Sequence, residues 1–132
     1  MRLTASLPLP RQPSSVTRAR QVLDTLLSLT EASDDYRAAL NLMITEACTN
    51  AVLHSQPDST LTVTITIDAA RCTIVVGNRG DNVDRGKLTA DPPDPLAQSG
   101  RGLPLIAALA DSATFATTQP GHVLLSITKA LP

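Results

Sequence analysis

The sequence predicts an α+β domain in which helices cover one face of a β-sheet. Its 132 residues fit one domain, and its 42% hydrophobic and 17% charged residues are typical of a globular chain. The predicted strands are joined mainly by hairpins and the first two helices are consecutive, an order that favours separate layers over a parallel βαβ arrangement. We therefore expect a two-layer α/β sandwich with a mixed, mostly antiparallel sheet covered on one face by about three helices.

Charge and aromatic content exclude several functions. Eleven Lys and Arg against twelve Asp and Glu give a net charge of -1, so the chain has no basic surface for nucleic acid. One Phe, one Tyr and no Trp leave no platform on which bases could stack. No apolar run approaches the roughly 20 residues of a membrane span. We expect a cytoplasmic protein that binds neither nucleic acid nor a membrane.

The two cysteines, Cys48 and Cys72, form no CxxC pair, and no neighbouring histidine completes a zinc site. Free cysteine behaves as a small hydrophobic residue. The sequence therefore predicts two buried thiols with no part in metal binding.

The N-terminal segment predicts an edge strand followed by a helix. Apolar and polar residues alternate over residues 1–7 before Pro8 and Pro10 interrupt the pattern, which is typical of a short strand at a sheet edge. Ser14 or Ser15 is expected to cap the helix. Its apolar residues recur every three or four positions, and polar residues occupy the opposite face. The apolar positions are Val16, Ala19, Val22, Leu23, Leu26 and Leu27, and the polar ones are Arg18, Arg20, Gln21 and Asp24.

A second helix is predicted to be the longest element. Ser33 caps its start, where the negative charges of Asp34 and Asp35 are favourable. Pro57 disfavours helical geometry in the residue before it, so the helix should end near residues 55–58. The apolar positions are Leu40, Ile44, Ala47, Ala51 and Val52.

The second half predicts two hairpins separated by a long loop. Residues 61–67 alternate aliphatic residues with threonine, which predicts a half-buried strand, and residues 72–76 predict a more central neighbour. The loop between residues 77 and 102 is long for a compact domain, and we interpret it as a ligand lid. The other predicted elements are a short helix against the sheet at 103–110 and the strands of a final hairpin at 112–117 and 122–128.

Three polar residues of the second helix are spaced by four. Glu46, Asn50 and His54 therefore lie on one stripe, opposite the apolar stripe. Carboxylate and amide oxygens are ligands of Mg²⁺, which completes its shell with water and phosphate oxygens. A glutamate can also accept a proton from a hydroxyl group. The stripe alone fits either a ligand-facing surface or an ordinary solvated face.

Two glycine-rich segments flank the long loop. The first, Gly77-Asn78-Arg79-Gly80, follows a buried strand; its glycines permit positive φ and close backbone approach, and Asn78 can hydrogen-bond the edge of a base. The second, Gly100-Arg101-Gly102, precedes the short helix, whose free N–H groups and dipole favour phosphate. Taken alone, the first segment indicates only a turn, and the second is as typical of a glycine-rich hinge and helix cap as of a phosphate site.

The order and spacing of the three motifs resemble the GHKL, or Bergerat-fold, ATP-binding superfamily. Residues 46–54 resemble its N box, Asn78-Arg79-Gly80 its G1 box and the segment from Gly100 to Leu103 its G2 box. The resemblance covers nearly the whole chain, so residues 1–132 are expected to form a single histidine-kinase-like ATP-binding domain. The chain length and the segment from Pro95 to Leu103 look most like the anti-sigma-factor serine/threonine kinases.

The resemblance implies a site for ATP and Mg²⁺. By position, Asn50 would hold Mg²⁺ and Glu46 would act as the general base toward a Ser or Thr hydroxyl. His54 would lie near the nucleotide. The other residues expected to contact the nucleotide are Asn78, Gly80, Gly100, Arg101, Gly102 and Leu103.

The resemblance also implies protein partners. The protein would sequester a sigma factor through the first helix and the neighbouring surface of a homodimer. It would phosphorylate an anti-sigma-factor antagonist and so regulate transcription. An ATP-binding regulator whose partner is not a sigma factor is an open alternative, because partner surfaces leave no short motif in a sequence.

One departure from the family pattern concerns the base contact. The G1 box begins with Asp, whose carboxylate accepts the adenine amine, whereas this chain has Asn78, and Asn82 replaces a later glycine. Asn keeps an acceptor oxygen but loses the charge-assisted hydrogen bond, a difference of about 1 kcal/mol or more if buried. The sequence therefore fits either an ATP-dependent kinase or a non-catalytic kinase-like module that binds nucleotide weakly or not at all.

Overall fold

The computed structural model describes residues 1–80, 102–119 and 121–131. In these ranges a strand and two helices precede two strands, a third helix and two further strands, in the predicted order. The elements are β1 (Leu3–Pro10), α1 (Ser14–Ser28), α2 (Asp34–His54), β2 (Thr60–Ile67), β3 (Arg71–Arg79), α3 (Gly102–Leu109), β4 (Ser112–Gln119) and β5 (His122–Ala130). None of the helices in these ranges is long and apolar enough to cross a membrane.

The strands form one sheet in the order β1-β2-β3-β5-β4. Each pair of neighbours is antiparallel, so the described strands contain no parallel pair and the predicted mixed sheet is in fact antiparallel. Alternate residues of the strands join side chains of all three helices in one core. The α+β sandwich is thereby confirmed, with a helical layer on one face of the sheet.

The core side of the sheet follows from the alternation of aliphatic residues and threonine. In β2, Leu61, Val63, Ile65 and Ile67 are buried while the threonines between them are exposed or half-buried. Each fully buried aliphatic side chain stabilises the fold by about 1.5–3 kcal/mol relative to leaving it in water. No helix of the described ranges packs on the opposite face of the sheet, which consists mostly of hydroxyl-bearing residues.

β1 continues through both prolines, contrary to the prediction that they end it. The strand lies at the edge of the sheet, as expected, and pairs only with β2. Pro8 and Pro10 are two residues apart, so their nitrogen atoms point to the same side of the strand. An edge strand needs hydrogen-bond donors on one side only, and therefore tolerates both prolines.

The predicted cap of α1 was wrong. Pro13 occupies the N-cap position and no side chain caps the helix. Ser15 instead donates its hydroxyl to the carbonyl oxygen of Pro10 at 2.5 Å, and the Ser14 hydroxyl accepts a hydrogen bond from the Gln12 side chain at 2.8 Å. The two serines thus connect the helix to the preceding loop.

The predicted start and end of α2 are confirmed. The Ser33 hydroxyl accepts a hydrogen bond from the backbone N–H of Tyr36 at 3.2 Å, and Asp34 and Asp35 lie in the first turn. The helix ends at His54 after 21 residues, which makes it the longest element of the described ranges. Its apolar side packs against α1, α3 and β3.

Candidate functional site

The polar stripe of α2 lies at the boundary of the core. Glu46 and Asn50 are half-buried and His54 is exposed. The residues of the opposite stripe are buried, as predicted, namely Leu40, Ile44, Ala47 and Ala51. The structure therefore places a carboxylate and a carboxamide one helical turn apart on the accessible side of the longest helix.

Glu46 meets the start of α3. A Cβ atom added to Gly102 would lie 2.5 Å from Glu46 Oε2 and 3.1 Å from Glu46 Cβ, so the glycine backbone packs directly against this side chain. The first N–H groups of a helix carry partial positive charge, which favours a neighbouring carboxylate. Leu103, the next residue, is buried and anchors the helix, which packs mainly against α2 rather than against the sheet as predicted.

The end of β3 meets the C-terminal end of α2. A Cβ atom on Gly80 would collide with the carbonyl oxygen of His54 and lie 3.0 Å from Asn78 Nδ2. The junction is held by backbone hydrogen bonds from Gln56 N–H to the Arg79 carbonyl at 2.7 Å and from Gly80 N–H to the Gly121 carbonyl at 3.0 Å. Close packing, rather than unusual φ, requires the glycine at this position.

The first glycine segment is part of a strand and not a turn. β3 extends to Arg79, because Gly77, Asn78 and Arg79 pair with Leu124, Val123 and His122 of β5. Neither Gly77 nor Gly80 has positive φ; among the glycines of the described ranges, only Gly121 does. A Cβ on Gly77 would lie 2.8 Å from Leu124 Cδ2, so the close approach it permits is to a neighbouring strand.

Asn78 leaves a hydrogen-bond donor unused. Its Nδ2 atom is buried without a partner among the described residues, and a buried unpaired donor costs about 1–3 kcal/mol. The amide also lies beside the C-terminal end of α2, where partial negative charge would disfavour a carboxylate. An acceptor on a ligand or a water molecule would satisfy the Asn78 donor.

α2 connects the two glycine segments. From Glu46 to His54 the helix rises about 12 Å, with Gly102 against one end of this stretch and Gly80 against the other. Asn50 lies between them. The structure thus places Gly102 against Glu46, and Gly80 and Asn78 at the C-terminal end of the same helix. Gly100, Arg101, Asn82 and the proposed lid lie outside the described residues.

The donor set suits a metal that is bound chiefly by a nucleotide. Within the described ranges, no group of three or more His, Cys, Asp or Glu side chains could hold a metal ion. Mg²⁺ in nucleotide sites takes most of its ligands from phosphates and water and one or two from the protein. Asn50 and Glu46 on an accessible helix face fit this requirement.

The two thiols take no part in the site. Cys48 and Cys72 are free and buried, which confirms the prediction that both thiols are buried. Burial raises the pKa of each thiol to about 12. Both side chains are therefore neutral packing groups at physiological pH.

A groove on the other face of the sheet was not predicted from the sequence. Arg79 and His122 are cross-strand partners there, and Asp58, with φ of 60°, lies at the rim. Side chains alternate along β3, so Arg79 points away from Asn78 and from α2. That alternation is the signal in the sequence that places Arg79 on the face opposite Asn78.

Comparison of structures finds the same fold in proteins with little sequence identity. The RsbU and RsbW domains of Rv1364c from Mycobacterium tuberculosis align with a TM-score of 0.69 at 18% identity over 98% of this chain, which spans only 32% of that chain. The SiaB-SiaC complex from Pseudomonas aeruginosa gives 0.70 at 16% identity over 96% of this chain and 89% of the other. The histidine kinase AdeS from Acinetobacter baumannii gives 0.53 at 12% identity, over 96% and 68%.

Sequence comparison identifies the family. No curated protein sequence matches the chain. Residues 9–129 match the histidine kinase-like ATPase domain (HATPase_c_2), nearly the full length, and the resemblance to GHKL ATPases is confirmed. Such a domain is a nucleotide-binding fold. The chain therefore belongs to the family of histidine kinase-like ATPase domains.

Proposed function

We propose that the chain binds ATP with Mg²⁺ and acts as a serine/threonine protein kinase in partner switching. In this proposal it sequesters a sigma factor in the cytoplasm and phosphorylates an antagonist of that sequestration. The observation that carries the proposal is the position of the Glu46 carboxylate against Gly102, with Asn50 one turn further along α2. Family membership supports nucleotide binding.

The nucleotide would lie along the accessible side of α2. Asn78 would contact the base, His54 and Gly80 would lie beside it, and Asn50 would hold Mg²⁺. When bound, Mg-ATP would supply the phosphoryl group that is transferred. The positive charge of Mg²⁺ would offset the negative charge of the phosphates. The residues that would surround the phosphates are Gly100, Arg101, Gly102 and Leu103.

Glu46 would act as the general base. Its carboxylate accepts the proton of a Ser or Thr hydroxyl on the partner, and this increases the nucleophilicity of that oxygen. Gly102 leaves room for the carboxylate at the start of α3, where the partial positive charge of the helix N–H groups would help to orient it. Positioning of this kind, rather than a strong nucleophile, supplies most of the rate in phosphoryl transfer.

Partner binding would use α1 and the surface next to it. Leu29, just after α1, is 60% exposed, and Val22 and Leu26 are half-buried. Exposed aliphatic side chains of this kind are suited to the apolar centre of a protein interface. The similarity to RsbW domains and to SiaB in complex with SiaC supports a protein partner. We propose that this partner is the antagonist and that the protein works as a homodimer.

A second candidate is a non-catalytic partner-switching module. Asn78 favours it, because the neutral amide makes a weaker hydrogen bond to the adenine amine than a carboxylate does. The module would retain the partner surface and lose turnover. Glu46 and Asn50 favour the kinase.

The kinase proposal is tested by phosphate transfer. Proteins bound by the purified chain are recovered by pull-down and incubated with it and γ-labelled ATP-Mg²⁺. We expect label on a Ser or Thr of a partner, and Glu46→Ala should lower transfer about 10²–10⁴-fold. Glu31→Ala, which removes the only other glutamate in the chain, is the matched control and should leave transfer unchanged.

The outcomes of this assay separate the alternatives. Label transfer that survives Glu46→Ala contradicts the assigned base. Partner binding without transfer identifies the non-catalytic module. Transfer to a protein that does not regulate a sigma factor would contradict the sigma-factor part of the proposal. The chain would then be an ATP-binding regulator with another partner.

A further inference from the structure

The outer face of α2, which is the side of the helix opposite its buried stripe, has an unusual composition for a surface. Its residues recur every three or four positions, and each is exposed or half-buried. They are Ala38, Leu42, Thr45, Thr49 and Leu53. None of them is charged, and Glu46, at the edge of the face, is the only charged residue among residues 38–53.

The neighbouring helix α1 shows the more usual pattern. Its solvent side carries three exposed charged residues, Arg18, Arg20 and Asp24. Surface helices generally have such a charged side, whereas a helix without one is typical of a buried position. The outer face of α2 therefore has the composition of a contact surface.

Two exposed leucines lie on this face, one on each side of Glu46. The described ranges contain four exposed large hydrophobic side chains, and two of these are Leu42 and Leu53, at 41% and 62% exposure. Along the helix axis, Glu46 is about 6 Å from Leu42 and about 10 Å from Leu53. The three residues fall on one line, because positions four and eleven residues apart return to the same side of a helix.

We propose that Leu42 and Leu53 are docking residues for the protein whose hydroxyl group Glu46 deprotonates. The Ser or Thr of that protein must come within hydrogen-bond reach of the carboxylate, so its surface covers α2 on both sides of Glu46. The two leucines receive apolar side chains that flank the acceptor hydroxyl. The inference rests on the proposed kinase function and adds the surface that selects the substrate.

The charge of the outer face specifies the chemistry of this substrate. An acidic side chain beside the acceptor would be repelled by Glu46, because like charges oppose each other across an interface. A basic side chain would find no other charge on this face and would pair with the carboxylate that has to accept the proton. The expected substrate is therefore an uncharged protein surface that carries a Ser or Thr between two apolar side chains.

The size of the face suits a substrate better than a permanent partner. From Leu42 to Leu53 the helix rises about 16 Å, and with a diameter of about 11 Å this stretch presents about 180 Å². A stable interface buries about 800 Å² on each partner. The outer face alone is too small to hold a second copy of the chain or a sequestered factor. A weak contact is suited to a protein that must leave after it is phosphorylated.

Steady-state phosphate transfer to the partner protein that accepts label tests the proposal. The variants are Leu42→Gln and Leu53→Gln, each with a matched control, Leu42→Met and Leu53→Met. Gln and Met have nearly the same length and shape, so each pair of variants isolates the apolar character of the contact. Both leucines are exposed, and thermal unfolding should show that all four variants remain folded.

Each Gln variant should raise the KM for the partner at least about fivefold, about 1 kcal/mol of lost binding. The value of kcat should stay the same, because a contact made equally in the ground state and the transition state affects KM alone. The Met variants should behave as the wild type. The KM for ATP should be unchanged in all four variants, because the leucines bind the protein substrate and not the nucleotide.

Three results would overturn the docking role. The first is a KM for the partner that neither Gln variant changes, and the second is an equal rise in the Gln and Met variants. The third is a higher KM for ATP, which would assign the leucines to the nucleotide site. A change in sedimentation caused by the Gln variants would also overturn it, since the face would then be a contact between copies of this chain.

Titration of the partner into each variant without ATP separates this inference from the proposed function. A partner that binds the wild type and is never phosphorylated overturns the kinase. Weaker binding by the two Gln variants would then still assign the partner contact to the outer face of α2. Transfer that requires Glu46 but is the same in all leucine variants would retain the kinase and overturn the docking surface.

Discussion

The Glu46 carboxylate and the backbone of Gly102 share a space that no side chain at residue 102 could enter. The two residues lie far apart in sequence and come together because α3 packs on α2. Gly102 is therefore required for packing against the candidate base, in addition to any role in a flexible phosphate-binding segment.

Gly102→Ala is expected to displace the Glu46 side chain. The new methyl group would meet Oε2 at 2.5 Å, and a flexible carboxylate moves more easily than backbone. Phosphate transfer should fall at least about tenfold while the nucleotide affinity changes little, because a general base acts on the chemical step. Combining the change with Glu46→Ala should add no further loss, and an additive effect would contradict the contact.

Gly80→Ala is expected to destabilise the fold more than Gly77→Ala. The obstacle at Gly80 is the carbonyl oxygen of His54, which is backbone, whereas the obstacle at Gly77 is the end of the Leu124 side chain. Overpacking costs about 1–3 kcal/mol, and we expect Gly80→Ala at the upper end of this range and Gly77→Ala at the lower end. Urea unfolding measures both, and the reverse order would contradict the packing of β3 on α2.

Ser33→Ala is expected to lower the free energy of unfolding by about 1 kcal/mol, since it removes the cap of α2. Ser14→Ala is the matched control, because Ser14 begins α1 without capping it and should cost a few tenths of a kcal/mol as a surface change. Chemical denaturation of the two variants distinguishes them. Equal losses would contradict the assignment of the caps.

The free energy of unfolding is expected to decrease at alkaline pH. Burial raises the pKa of Cys48 and Cys72 to about 12 from 9.0, and that of Tyr36 to about 12 from 10.0. Above pH 9 the unfolded chain loses these protons first, so it binds fewer protons than the folded chain and the free energy of unfolding decreases with pH. The loss should continue to about pH 12.

The cysteines should account for much of this slope. Each thiol that ionises only in the unfolded chain lowers the free energy of unfolding by up to about 1.4 kcal/mol per pH unit. The double variant Cys48→Ala, Cys72→Ala should have a flatter dependence between pH 9 and 11 in denaturant titrations. An unchanged slope would show that the thiols are not buried as described.

The periodic elements could be predicted from sequence because their signals are local. Alternating threonines specify β2, and Ser33 with its two aspartates specifies the start of α2. The extension of β3 through Asn78 could not be predicted in this way, because it depends on pairing with β5, a strand more than 40 residues away. Pairing partners, not propensity, determine where such a strand ends.

The candidate site could be predicted in part. The spacing of Glu46 and Asn50 is enough to place them on one face of a helix, because residues four apart lie one turn from each other. The contact of Glu46 with Gly102, and that of Gly80 with the end of α2, depend on how the helices and sheet pack together. Only the resemblance to a known family predicted that these segments form one site, because spacing within one helix carries no information on distant loops.

Isothermal titration with ATP-Mg²⁺ tests the central claim most directly, using the wild type beside Asn78→Asp and Asn50→Ala. We expect that the wild type binds one nucleotide per chain and that Asn78→Asp raises the affinity about tenfold, a gain of about 1.4 kcal/mol, because a carboxylate makes the stronger hydrogen bond to the adenine amine. We also expect that Asn50→Ala weakens binding when Mg²⁺ is present. Binding by Asn78→Asp alone would make the chain a non-catalytic module. If neither the wild type nor Asn78→Asp binds at millimolar nucleotide, the binding free energy is about 4 kcal/mol or less. That result would contradict a nucleotide site between α2 and the two glycine segments.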